Sequence, residues 1–182
     1  MDKIEHENRL DLIEGETDKN EDQVLNALKP MIACVLGEND FEAISDPIKK
    51  IIADDIWYCA TKIGLVDMDY LDVKRFLLGD SSVCHKADFI GVATGNSVAQ
   101  TIIDAIPENL LKENCRMIVV IRNSEDQGDW EEGIQIMDTI RASFPKCVDF
   151  LFNYFNYFNG ETIPTRISYV VIKNNFIFEN YK

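Results

Sequence analysis

Positive charge is scarce in this chain: 18 Lys and Arg stand against 32 Asp and Glu, a formal net charge of −14. That balance argues against DNA, RNA or an anionic membrane as a partner, because each of those surfaces repels a protein of this sign. Histidine is scarcer still, with only His6 and His85 present. The cysteines (Cys34, Cys59, Cys84, Cys115 and Cys147) are widely spaced and odd in number, with no C-x-x-C pair among them. A structural zinc site needs four ligands at close spacing, so none is expected, and the thiols read as reduced and mostly buried. Long apolar runs are missing too, which excludes a membrane span of the usual length. The chain opens Met1-Asp2-Lys3-Ile4-Glu5-His6, without a basic segment leading into an apolar one, so no secretion signal is expected and a cytoplasmic location follows.

Glycine never gathers into a phosphate-binding loop. Such loops work because successive glycines let several backbone N–H groups close on one phosphate. Gly91-Val92-Ala93-Thr94-Gly95 is the nearest approach, and no G-x-x-x-x-G-K-S/T run exists. Catalytic constellations are equally thin. Neither histidine lies in a nucleophile motif, and the sequence adjacency of Cys84 and His85 does not make a dyad. The chain is therefore not expected to be an autonomous enzyme.

What is present begins with an acidic, polar arm over residues 1–21, read as flexible or as a short docking motif. Residues 22–45 form a helical extension: Val24, Leu25, Leu28, Ile32 and Val35 recur at helical spacing, with Pro30 interrupting and Gly37 ending the run. Residues 46–182 make one further domain. Asp46 caps a long helix, Pro47 suits its first position and Gly64 its end, with Ile48, Ile51, Ile52, Ile56, Cys59, Ala60 and Ile63 forming an apolar stripe. Asp54 and Asp55 are assigned to its solvated face.

A short helix around Val73, Phe76 and Leu77 ends at Gly79. Then come a strand at Phe89–Ala93, a helix from about Ser97 to Ile106, a strand at Met117–Ile121 and a helix from Asp129 to about Ser143. Val148–Phe155 and Ile167–Ile172 are strands, the second with the alternation of a half-buried edge, and Phe176-Ile177-Phe178 is a candidate last strand. Strands alternating with helices, then two strands in succession, imply an α/β (α+β) fold with a mixed sheet of about four strands. The aromatic run from Phe152 to Phe158 lacks the basic groove that base stacking requires, so it reads as a strand packed on helices, or else as a protein-binding patch.

Three carboxylates, Asp67, Asp69 and Asp72, crowd the junction between the long helix and the short one that follows. Asp69 and Asp72 have the spacing of a capping box, and negative charge is tolerated at a helix N-terminus. One reading is a turn and a cap; the other is a site at which carboxylates hold a cation or water. A calcium loop is excluded by the missing glycine and terminal glutamate of an EF-hand.

The stretch Gly64-Leu65-Val66-Asp67-Met68-Asp69-Tyr70-Leu71-Asp72-Val73 resembles the G-L-I-N-L-D-F-A-D-V loop of the FtsZ/tubulin superfamily. The likeness continues in order. Ala87 to Gly95 is similar to the family's A-M-M-G-x-G-x-A-S-G, and Ala99 to Leu111 to its A-x-x-A-I-x-x-P-L-L. Met117 to Ile121 with Trp130-Glu131-Glu132 is similar to its strand and D-L-x-L-x-E, and Arg166 to Ile172 to its R-V-T-V-I-A-T. The resemblance runs from about Asp46 to about Lys173 and implies the C-terminal, GTPase-activating domain of FtsZ, a two-layer sandwich, without the GTP-binding domain.

In that family the loop's carboxylates enter the GTP pocket of the next subunit and orient water. Carried over, Asp69 and Asp72 would be the activating residues in trans. Asp67, where the family has Asn, would modify them. GTP and a cation would be met only through a partner, and the chain alone would bind no cofactor. The implied partner is an FtsZ-type GTPase that the chain caps or activates, with self-association as a further possibility. The alternative is a structural adaptor domain that uses its aromatic segment or acidic arm to bind another protein.

Overall fold

A computed structural model describes residues 23, 25–61, 68–79, 84–94, 98–124, 130–157 and 166–173. Helix α1 (Leu28–Val35) is followed by α2 (Pro47–Thr61) and α3 (Tyr70–Leu78), then strand β1 (Phe89–Thr94). The short helices α4 (Val98–Ala105) and α5 (Glu108–Leu111) lead to β2 (Cys115–Ser124), α6 (Trp130–Ser143), β3 (Cys147–Tyr157) and β4 (Arg166–Lys173). The expected order of elements holds throughout the described residues. The arm at 1–21, Asp67, Asp129 and the candidate strand at Phe176–Phe178 lie outside them.

The helix ends follow their local chemistry. Residues 23, 25 and 26 are already helical and the Ala27 N–H donates to the Gln23 carbonyl at 3.3 Å. The run is interrupted by a turn at Ala27, and α1 restarts with Pro30 as its third residue, as the interruption expected at Pro30 requires. At the head of α2, Asp46 Oδ1 accepts from the backbone N–H of Ile48 (2.9 Å) and of Lys49 (3.4 Å), with Pro47 first in the helix. Helix α3 stops at Gly79, whose φ of 62° lies in the left-handed region that suits glycine. A Cβ there would sit 1.6 Å from Arg116 Nη1, because that guanidinium closes against the helix end. Arg116 Nη2 points to the Leu77 carbonyl at 3.5 Å, a cation at a helix C-terminus.

The sheet is mixed, in the order β1-β4-β2-β3. Strand β4 runs antiparallel to both β1 and β2, while β2 and β3 are parallel. Strand β4 is thus central, which corrects the expectation of a half-buried edge: six consecutive residues, Ile167 to Ile172, are buried. An alternating pattern marks an edge only if one face meets water, and here helices cover both faces.

On one face, Ile118, Val120, Phe155, Val170 and Ile172 pack under α1, α2 and α3, against Leu28, Ile32, Ile52, Ile56, Phe76 and Leu77. On the other, Met117, Val119, Ile121, Phe152, Tyr154 and Val171 pack under α4 and α6, against Ile102, Ile106 and Ile140. The sheet and its α4/α6 layer form the expected sandwich, and the helical extension with α2 and α3 adds a layer over the opposite face. The aromatic residues Phe152, Tyr154 and Phe155 are buried in these two cores, as a strand packed on helices requires.

Candidate functional site

The acidic junction is built by the first turn of α3. Asp69 is its N-cap, with extended backbone (φ −97°, ψ 177°) that turns its carboxylate back over the helix. Asp69 Oδ1 accepts from the N–H of Leu71 at 2.7 Å and of Asp72 at 3.0 Å. Asp72 Oδ2 in return accepts from the N–H of Asp69 at 3.1 Å. This is a reciprocal capping box with aspartate at both positions, where Ser or Thr and Glu are usual. Anchorage comes from the residues beside it: Met68 and Val73 are buried in the core under α1 and α2. Asp69, Leu71 and Asp72 are exposed.

Sequence reasoning placed Asp69 and Asp72 together, and the structure brings them together. Each gives one oxygen to the cap, so the pair presents its outer oxygens to solvent on a rigid helix end. Two carboxylates held this way can accept hydrogen bonds from water or face a cation supplied from outside. Among the described residues, no group of three or more His, Cys, Asp or Glu is arranged to hold a metal by itself.

The second polar cluster is buried and escaped the sequence reading. Asp55, in the middle of α2, has 0% exposure, so its assignment to the solvated face is wrong. Asp54 beside it does face outward and pairs with Lys50 at 3.3 Å. Asp55 Oδ1 lies 2.6 Å from Arg122 Nε and 2.7 Å from Arg166 Nη2, and its Oδ2 accepts from the Ser168 hydroxyl. Arg122 and Arg166 are directly opposed on β2 and β4. Two cations in that position repel, and the Asp55 carboxylate set between them removes the conflict.

Arg122 is further held by its Nη2 donating to the Asp54 carbonyl at 3.3 Å and by the Tyr58 ring 4.1 Å from its guanidinium carbon. Tyr58 in turn stands edge-on to Phe155, 4.8 Å between centroids. The cluster therefore ties one helix to two strands.

A signal for this was present. Asp55 lies four residues after Ile51, three after Ile52 and four before Cys59, which is on the apolar stripe and not off it. Arg122 and Arg166 likewise fall in step with Val120 and Ser168 on one sheet face. One turn along, burial pushes the Cys59 thiol well above its ordinary pKa, and the charge of Asp55 adds to the shift.

No family model and no curated protein matches the sequence. Among solved structures, the FtsZ dimer of M. jannaschii in its empty form is similar, with 17% identity and a TM-score of 0.46. The match covers 74% of this chain and 42% of that one, so the chain spans under half the length of the FtsZ that it matches. No described helix is long and apolar enough to cross a membrane.

Proposed function

We propose that this chain is a protein-interaction module for an FtsZ-type filament, docking on the nucleotide face of a subunit and either capping it or presenting Asp69 and Asp72 in trans. Support comes from the exposed Asp69–Asp72 pair, fixed at the head of α3 by its own hydrogen bonds. Phosphoryl transfer to water needs a positioned nucleophile more than a covalent catalyst, and rigid carboxylates facing outward can position water or a cation. GTP and the cation would belong to the partner subunit. The described parts of the FtsZ-like segments identified in the sequence fall, in order, at the start of α3, on β1, along α4 and α5, on β2 with α6, and on β4.

A second reading has its own observation. The capping box already gives both carboxylates a structural task, which favours an adaptor domain in which the acids only start a helix. Since Phe152, Tyr154 and Phe155 are buried, such an adaptor would not bind its partner through them.

The test is phosphate release by the host's FtsZ-type GTPase, titrated with this chain and with Asp69→Asn, while polymer is followed by sedimentation. Asparagine is as good an N-cap as aspartate, so this variant keeps the helix and removes only the charge. A change in turnover that Asp69→Asn abolishes supports action in trans. Shortened polymer with both forms supports capping alone. No change in either observable at saturating chain rejects filament docking in favour of the adaptor.

A further inference from the structure

Strand β3 joins β2 in parallel, but the register slips at its first step. Cys115 faces Cys147 and the next pair is Arg116 with Asp149, so Val148 is the extra residue of a bulge and is 61% exposed. The bulge leaves both thiols on the α4/α6 side of the sheet at its rim, in contact with the same core. Neighbouring strands lie about 4.8 Å apart, within the roughly 4.4–6.8 Å between Cα atoms that a disulfide spans. Cys115 is 1% exposed, and Cys147 is partly open, its Sγ 3.2 Å from the Asp149 carbonyl oxygen.

We infer that Cys115 and Cys147 form an oxidation site, a thiol pair that a peroxide converts into a disulfide between β2 and β3. The Cys115 thiolate attacks one peroxide oxygen and the O–O bond breaks. The departing oxygen takes a proton and leaves as water or an alcohol, and Cys115 becomes a sulfenic acid. The Cys147 sulfur then attacks that sulfenic sulfur, the S–O bond breaks, and the hydroxide that leaves takes the Cys147 proton as water. The two sulfurs lose two electrons and the peroxide gains two.

The electrostatics divide these roles. The neighbouring Cys147 side chain holds Cys115 below its ordinary pKa although burial and Glu113 oppose this. The same contact, together with burial, raises Cys147. The pair Cys34 and Cys84 is also close, with Cys34 Sγ 3.6 Å from the Cys84 carbonyl. There burial and Cys34 push the Cys84 thiol up to about 12. Oxidation would fasten the start of the outer strand to its neighbour.

The experiment treats the full chain with hydrogen peroxide in native buffer, blocks the remaining thiols with N-ethylmaleimide in denaturant, and maps cross-linked peptides by mass spectrometry without reductant. The expected product joins Cys115 to Cys147, at least about tenfold above any other pairing of the five thiols. In Cys147→Ser, a conservative change at a partly open position, the buried Cys115 should instead be trapped as its sulfenic acid by dimedone added with denaturant once the peroxide is removed. The inference is overturned if Cys34–Cys84 dominates, or if all five thiols stay free at a dose that oxidises a model thiol. It is equally overturned if the same bond forms as readily in the urea-unfolded chain.

Discussion

Asp55 and Asp69 sit on successive helices and meet opposite surroundings. Asp55 is enclosed between two guanidinium groups and a hydroxyl, while Asp69 stands in water with two backbone N–H groups as its partners. A buried charge is held by partners that would themselves be stranded without it, so its removal is costly. An exposed cap contributes little and leaves room for another role. Stability and function are thus expected to separate cleanly between the two aspartates.

The largest break in that comparison is Asp55→Ala. It should destabilise the fold by about 3–5 kcal/mol in urea unfolding, because Arg122 and Arg166 are then left opposed without their anion. A loss no larger than that of an exposed charge would mean that the two guanidinium groups find other partners.

Next in size is an alkaline weakness beside Asp55. The folded-state pKa of Cys59 is raised by burial first and by Asp55 second. The unfolded thiol ionises near about pH 8.5, so above that pH the unfolded chain holds fewer protons than the folded one. Stability from this group is whole below the unfolded pKa and falls as pH rises beyond it, by about 1.4 kcal/mol per pH unit. Burial moves Cys84 and Tyr169 in the same direction. Urea midpoints taken under reductant across this range should fall, and Cys59→Ala should make the slope shallower. An unchanged slope would show that Cys59 does not titrate in unfolding.

Smaller is Asp69→Ala, which should cost about 1 kcal/mol as the loss of an N-cap. Asp69→Asn should stay within about 0.5 kcal/mol of the parent, since asparagine caps equally well. If Asp69→Asn proved as damaging as Asp69→Ala, the charge itself would be structural and the two aspartates would be alike.

The order of helices and strands was legible because periodicity and caps are local. Asp46-Pro47 started α2, Gly79 ended α3, and the spacing of Asp69 and Asp72 gave their box. What failed was tertiary. Strand β4 read as an edge because two of its eight residues, Arg166 and Ser168, are polar on one face, and nothing local says that α2 covers that face. Asp55 was assigned to water on residue type, although its spacing placed it among Ile51, Ile52, Ile56 and Cys59. A buried aspartate is affordable only with cations opposite, and here those cations lie on strands far along the chain.

The central place of β4 has a consequence for how the protein comes into being. Strands β1 and β2 precede it in the chain, yet neither pairs with the other, and both form their ladders to β4. Until that segment has left the ribosome, the sheet has a gap at its middle, and Asp55, which can already meet Arg122, waits for its second arginine 111 positions downstream. Early and late segments must therefore be brought together before most of the sheet can close. This makes for slow, high-contact-order folding, with β1 and β2 open to wrong partners in the interval. Truncation before Arg166 should leave a nascent chain with no completed sheet, however well its helices form.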